Sequence, residues 1–317
     1  MNSKIKKIIK HTFPYLSQKY IVNKTVRIFN GVTNFKNEVE KRYFNQFGIS
    51  LDLNKPQTFY EKVNYLKVNS NMSEYSFMVD KITAKEFAKS ISNNIHIAKT
   101  IASFSVFSDF KKFYKSNVFP NPCVVKLNHT SGDVFFYKNG NWFEKHGNPI
   151  TKREVFGILK AKINFDYYMT NFETCYLGIK KQIMIEEYFP SLSGLDEYKI
   201  FCNFGIPKIV NVVYGRQAGM EVSEVFTDEN LKPFPVNQGL KNINESSVYI
   251  PKCWKQMIEF VKKASRGFPM LRVDLLVDGE DFYFCEFTFY DYGGNSIFYP
   301  LEWNKRIGDL FKLEEND

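Results

Sequence analysis

Asp274 and Glu286 each stand in the middle of an apolar run, within the stretch LRVDLLVDGEDFYFCEFTF at residues 271–289. Strict alternation puts Arg272 and Asp274 on one face of a first strand, and Glu286 and Thr288 on one face of a second. The turn decides whether those faces coincide. If an odd number of residues loops out, such as Gly279, Glu280 and Asp281, Asp274 falls opposite Glu286 and Arg272 opposite Thr288, with β-carbons roughly 5 Å apart. A two-residue turn sends the acids to opposite faces. Facing carboxylates repel, and a divalent cation between them removes the objection, because Mg2+ takes hard oxygen ligands and is held by one or two carboxylates plus substrate phosphates. The same residues also suit a half-exposed hairpin whose polar face is charged.

Three further stretches carry chemistry-bearing residues. In VVKLNHTSGDV (residues 124–134) Lys126 comes late in a strand and small residues follow. Ser131 and Gly132 let backbone N–H groups approach phosphate oxygens while Lys126 supplies a point charge; the spacing is not that of a Walker A loop. An ordinary strand-to-turn transition reads the same way, and His129 is expected as an exposed loop histidine rather than a base. In MIEEYF (residues 184–189) a strand ends in Glu186, Glu187 and Tyr188, which can offer backbone groups and a carboxylate to the edge of a purine. In GLDEYKIF (residues 194–201) alternation puts Glu197, Lys199 and Phe201 on one face, so a ribose-accepting acid and a phosphate-facing cation, or simply an ion pair, share it.

Changes of hydrophobic period supply the elements that must position these residues. NKPQTFYEKVNYLK predicts a helix with Pro56 in its first turn and Phe59, Val63 and Leu66 on one face. A second helix is expected over 74–90, including VDKITAKEFAK. PCVVKL (122–127) and KQIMIEEYF read as strands. TKREVFGILKAKI reads as a helix with a capping box from Thr151 to Glu154. DEYKIFCNFGIPKIVNVVYG is a hairpin turning at Asn203 to Gly205. PKCWKQMIEFVKKA is a helix with Pro251 near its start and Trp254, Met257, Ile258 and Val261 facing the core. Helices mixed with antiparallel hairpins indicate an α+β fold.

The chain has 317 residues, enough to bury a substantial core, and carries 43 Lys plus Arg against 34 Asp plus Glu, a net charge of +9. That charge suits an anionic partner: nucleotide, nucleic acid, anionic sugar or lipid surface. Five scattered cysteines, never spaced C-x-x-C, indicate neither a disulfide framework nor a zinc ribbon and favour a reducing cytoplasm, and the four dispersed histidines predict no His/Cys metal site. MNSKIKKIIKHTF has no apolar stretch long enough for a signal peptide or a span. It reads as a solvated first helix packing Ile5, Ile8 and Ile9, or as a short basic helix weakly associated with the inner face of a membrane.

The order of these pieces resembles the TupA-like (teichuronopeptide-biosynthesis) ATP-grasp family. The resemblance rests on FYEKVNYLK, VDKITAKEF, VVKLNHTSG, IEEYF, EYKIFCNFGIPK, LRVDLLV, FCEFTFYDYGG and PLEWNKRIGDLF, in sequence from about residue 55 to 312. It implies two α+β lobes enclosing ATP, with a helical N-terminal region at 1–72, a small lobe at 73–186 and a large lobe with the metal-binding hairpin at 187–317. By the resemblance, Lys126 and Lys81 contact phosphate, and Ser131 and Gly132 form the flexible phosphate loop. Glu186, Glu187 and Tyr188 form the adenine hinge, Glu197 holds the ribose, and Lys199 is a second phosphate or acyl-phosphate lysine. Asp274 and Glu286 match the magnesium ligands, with Thr288 where most relatives of the wider fold show Asn, and Arg272 faces the transferring phosphoryl group. Glu197 stands where relatives tend to show Asp. Arg216, in VVYGRQAG, is a candidate for phosphate or acceptor carboxylate.

The implied activity is an ATP-dependent ligase that joins an amino acid or other amine to a carboxylate, such as a uronic acid of a surface polysaccharide, through an acyl phosphate. ATP and Mg2+ are the implied cofactors. A metal-dependent glycosyltransferase of the same pathway is the alternative, and a nucleic-acid-binding protein ranks behind both.

Overall fold

The computed structural model describes residues 35–144, 147–188, 195–215, 222–242, 248 and 250–315. The expected N-terminal helix over 1–13 and Arg216 lie outside these residues. Strands fall into two sheets, and alternation along each strand gives one face to a core and the other to a shared cleft. The first sheet runs β1 (Thr100–Phe104), β6 (Ile183–Glu187), β2 (Cys123–Leu127), β3 (Val134–Lys138), β4 (Asn141–Glu144) and β5 (Pro149–Ile150), with every neighbouring pair antiparallel. Cys123, Val125 and Leu127 of β2 and Ile183 and Ile185 of β6 bury one face in a core with Phe110, Val155 and Leu159. Their alternates, Val124, Lys126 and Glu186, line the cleft.

The second sheet runs β10 (Pro233–Phe234), β9 (Ser223–Thr227), β8 (Ile206–Tyr214), β7 (Asp196–Asn203), β12 (Leu271–Asp278) and β13 (Asp281–Thr288), again antiparallel, with β11 (Lys241–Asn242) adding parallel to β9. Its back face, Tyr198, Ile200, Val273, Leu275 and Val277, belongs to the larger core, as do Met257, Phe260 and Val261 of the helix Trp254–Ala264. The β7–β8 turn is tighter than expected: Asn203 pairs with Ile206, and Phe204 and Gly205 make the turn with φ of 48° and 81°. Both signs fit a type I′ hairpin, whose twist matches the flanking strands.

Four helices matter for the site. α1 (Phe35–Phe47) and α2 (Phe59–Asn69) pack into the second core. α2 starts later than Pro56 suggests, because Thr58 and Glu61 form a capping box that satisfies the first-turn donors, leaving Pro56 ahead of the cap. The helix expected over 74–90 is broken at Asp80, which is extended (ψ 114°), accepts from the Ile82 N–H and from Asn128 Nδ2, and frees α3 (Thr83–Ile91) to turn. α4 (Lys152–Lys162) carries the expected Thr151–Glu154 capping box. After α3 the chain bridges both sheets: the His96 N–H donates to Phe282 O at 3.3 Å, and Phe284 N–H to His96 O at 2.9 Å. Among the described residues no helix is long and apolar enough to cross a membrane.

Candidate functional site

Asp274 faces Glu286 and Arg272 faces Thr288, but the turn is the two-residue one, Gly279–Glu280, with Asp278 paired to Asp281. A β-bulge at Cys285 supplies the missing residue: Leu275 pairs with Phe284 and Asp274 with Glu286. Without it Glu286 would point into the core beside Val273. The register then carries a polar row across four strands, Glu286, Asp274, Lys199 and Asn211, all on the cleft side.

Arg272, two residues before Asp274 on β12, sits beside the row and ties it together. Its Nε and Nη2 form a fork on Asp274 Oδ1 and Oδ2, both at 2.7 Å, and Nη1 donates to Asp291 Oδ1. Nη2 also reaches Glu286 Oε1 and Thr288 Oγ1, each at 3.2 Å. Asp274 is fully buried, and burial alone would raise its pKa. The Arg272 and Lys199 charges reverse that and hold it below the usual carboxylate range. Lys199 Nζ lies 3.5 Å from Asp274 Oδ2 and 3.9 Å from Glu197 Oε2. Asp291 in turn accepts from Tyr60 and Gln238.

The donor set fits magnesium. One cationic nitrogen, Arg272 Nη2, sits where Asp274, Glu286 and Thr288 converge, so three hard oxygens from three side chains already surround a positive charge. Among the described residues no group of three His, Cys, Asp or Glu is placed to hold a metal, so the set is two carboxylates and a hydroxyl.

Across the cleft stand three lysines. Lys126 and Lys85 clamp the buried Glu186 from both sides, Lys85 Nζ at 2.7 Å from Oε2. Burial would raise the Glu186 pKa, and the two ammonium groups bring it below the usual value. The Glu186 side chain is therefore committed to the lysines. Lys81 Nζ donates to Thr130 O, and enclosure by the cleft walls lowers its pKa to about 8 despite the nearby Glu286. Glu187 is tied to the opposite strand, its N–H donating to Lys99 O at 3.0 Å and its carboxylate accepting from Lys99 N–H. Tyr188 and Glu197 line the same cleft, whose apolar part is Val124, Phe136, Leu195, Leu276 and Phe284.

Ser131 and Gly132 are exposed at the tip of the loop after β2, Gly132 with φ 84°. The loop base is pinned by Asn128, which bonds Asp80, Lys180 O and Gln182 N, and by Asp133 on Lys162 at 2.6 Å. His129 is not the exposed histidine expected. It is 2% exposed, with Nδ1 on Asn128 Oδ1 and Nε2 on Lys162 O, and burial drives its pKa down to about 4. Sequence reasoning missed Lys85 and Asp291. Lys85 stands four residues after Lys81, a helical spacing that was there to read; Asp291 follows Thr288 in an irregular turn with no period to mark it.

A family model described as TupA-like ATPgrasp matches residues 61–312. No curated protein matches the chain. Among solved structures, D-alanine–D-alanine ligase from Helicobacter pylori is 14% identical over 69% of this chain and 53% of its own, with a TM-score of 0.37. The ligase PsnB, complexed with minimal precursor, Mg and ADP, is 8% identical over 73% of this chain and 57% of its own (TM-score 0.33). The L-amino acid ligase from Bacillus licheniformis is 13% identical over 84% of this chain and 57% of its own (TM-score 0.41). The chain thus spans little more than half the length of each.

Proposed function

This chain belongs to the TupA-like ATP-grasp family, and from that premise we propose that it is an ATP-dependent ligase joining an amine, such as an amino acid, to a carboxylate, such as a uronic acid of a surface polysaccharide. The observation that carries the reading is the convergence of Asp274, Glu286 and Thr288 on one cationic nitrogen, with Glu286 itself lining the cleft that holds Lys81, Lys85 and Lys126. The cleft is lined by both apolar and charged side chains, as a nucleotide requires.

The purine lies among Val124, Phe136, Leu276 and Phe284, with Tyr188 and the backbone at Glu187 and Tyr188 meeting its edge. Glu186 positions Lys126 and Lys85 rather than touching the base. Glu197 accepts from the ribose hydroxyls. Lys126 and Lys81 meet phosphate, and the loop around Ser131 and Gly132 folds over it, excluding water. Asp274, Glu286 and Thr288 would hold magnesium, which when bound offsets phosphate charge and orients the γ-phosphoryl group. Arg272, tethered by Asp291, and Lys199 stabilise the equatorial oxygens during transfer. The substrate carboxylate attacks γ-phosphorus and the bond to ADP breaks. The amine then attacks the acyl carbon, loses a proton, and phosphate departs. The small lobe of this reading is 73–186 and the large lobe 187–317.

Calorimetric binding of Mg·ATP to the wild type and to Asp274→Asn/Glu286→Gln, with a UDP-sugar as control, tests this. Magnesium-dependent ATP binding lost in the folded variant supports the ligase and justifies screening amine and carboxylate pairs for ADP release. Preferential binding of the UDP-sugar overturns it in favour of a glycosyltransferase.

A further inference from the structure

From Asp291 to Gly294 the chain makes one irregular turn, with Tyr292 (φ 48°), Gly293 (φ 62°) and Gly294 (φ 79°) all left-handed. A tyrosine keeps that conformation only where its surroundings over-determine it. One helix supplies those surroundings. On α2, Tyr60, Asn64 and Lys67 stand at i, i+4 and i+7, the spacing of a single helical face, and all three reach this turn. The Tyr60 hydroxyl donates to Asp291 Oδ2 at 2.5 Å, Asn64 Nδ2 to Gly294 O at 2.8 Å and the Lys67 ammonium to Gly293 O at 2.6 Å. A β-carbon at Gly294 would lie 2.5 Å from Asn64 Oδ1, so the helix also sets how closely the turn packs.

The three side chains are 0%, 1% and 2% exposed, as buried as Phe59 and Val63 on the apolar side of the same helix. Burying an amide and an ammonium is costly until each is bonded, and apolar side chains would fill the space without that cost. An apolar stripe could not hold a left-handed turn by its carbonyls or fix the orientation of its carboxylate. Gln238 completes the grip: its Nε2 donates to the Tyr60 hydroxyl and, at 3.3 Å, to Asp291 Oδ2, while its own N–H donates to Glu224 at 2.7 Å. With Oδ2 so engaged, Asp291 Oδ1 accepts from Arg272 Nη1.

That contact differs in kind from the others Arg272 makes. Asp274, Glu286 and Thr288 belong to the set that would hold magnesium, and Arg272 Nη2 stands among them, whereas Asp291 lies outside that set. Oxygens engaged by a metal are weakened as partners of Arg272, which leaves Asp291 as its standing anchor. We propose that Tyr60, Asn64 and Lys67 are positioning residues: α2 fixes the Asp291 carboxylate, and Asp291 keeps the Arg272 guanidinium in place whether its other partners are free or engaged. The proposal rests on the ligase reading for what Arg272 acts on, but not for how it is held. A helix ahead of both nucleotide lobes thereby becomes part of the transfer site.

The test uses the full chain carrying Tyr60→Phe or Lys67→Met, with Val63→Ala as the control, a buried residue of the same helix whose side chain cannot bond the turn. Nitrogen-15 NMR of the Arg272 guanidinium, identified by its loss in Arg272→Lys, reads the anchor in the free chain. Exchange of its Nε–H with water should be about tenfold faster or more in both stripe variants, as for a lost bond to a charged group, and should change little in Val63→Ala. With magnesium present, affinity for ADP plus aluminium fluoride, a mimic of the phosphoryl group in transfer, should fall about tenfold in Tyr60→Phe while affinity for ADP alone holds. Exchange in the stripe variants no faster than in Val63→Ala overturns the positioning role. Faster exchange with an unchanged preference for the mimic overturns its part in transfer. A wild type that binds neither nucleotide form sinks the ligase reading, and the exchange rates of the free chain still decide the stripe.

Discussion

At the residue scale, Arg272 and Glu286 touch each other yet answer to different physics. Arg272→Met would strand Asp274 and Asp291, 0% and 3% exposed, without their counter-charge. The expected loss of stability is about 3–5 kcal/mol by urea unfolding, the penalty for an uncompensated buried ion. The Glu286 carboxylate is 44% exposed, so Glu286→Gln should shift the same midpoint by less than about 1 kcal/mol while weakening Mg·ATP binding. Lys81 gives a pH signature. Its pKa, lowered from 10.5 to about 8, means the unfolded chain holds more protons between those values, so its contribution makes stability rise with pH across that window. A bound triphosphate raises that pKa again, so Mg·ATP binding should take up protons around pH 8–9, read by calorimetry in buffers of different ionisation enthalpy. Lys81→Met should abolish the uptake.

At the element scale, the hairpin shows how the right register was reached by an unexpected route. Alternation in LRVDLLV and FCEFTF left the pairing of Asp274 with Glu286 to the length of the turn, and the odd residue that allows it sits in the strand, at Cys285, and not in the turn. Turn residues have chemical signatures; a bulge is chosen by how two strands pack, which a single strand does not reveal. Helix starts behaved similarly. The Thr151 box was readable, whereas the Thr58 box was hidden behind Pro56. The closing helix Trp303–Gly308 packs against that second cap so closely that a β-carbon on Gly308 would lie 2.1 Å from Gln57 O and 2.8 Å from Phe59 N. Both are backbone atoms, which cannot swing aside. Gly308→Ala should therefore lower stability by about 1–3 kcal/mol in urea unfolding, as overpacking does.

At the scale of the whole molecule, two cores of unequal size flank one cleft. The core of the first sheet is small and that of the second draws on α1, α2, α3 and the helix Trp254–Ala264. Native-state hydrogen exchange should find the first sheet opening at lower free energy than the second. Leu159→Ala, fully buried in the smaller core, should cost about 2–5 kcal/mol there and leave β7 and β12 protected. On the proposed reading Mg·ATP would meet groups on both sides of the cleft and should slow exchange in β2 and β6 as well as at 128–133. Unchanged protection in the first sheet would argue against a nucleotide bridging the two.

Local pattern alone determined the class of fold, most helices, and which polar residues alternate along each strand, though not Lys85 or Asp291, because alternation and capping depend on residues within a few positions of one another. Family resemblance joined those pieces into one site. What the tertiary structure decided is where long-range charge and packing act. It set Glu186 between two lysines, sank His129, and brought Asp291 to Arg272 and, across 231 residues of chain, to Tyr60. Such contacts carry no period along the chain, and only folding brings their partners within reach.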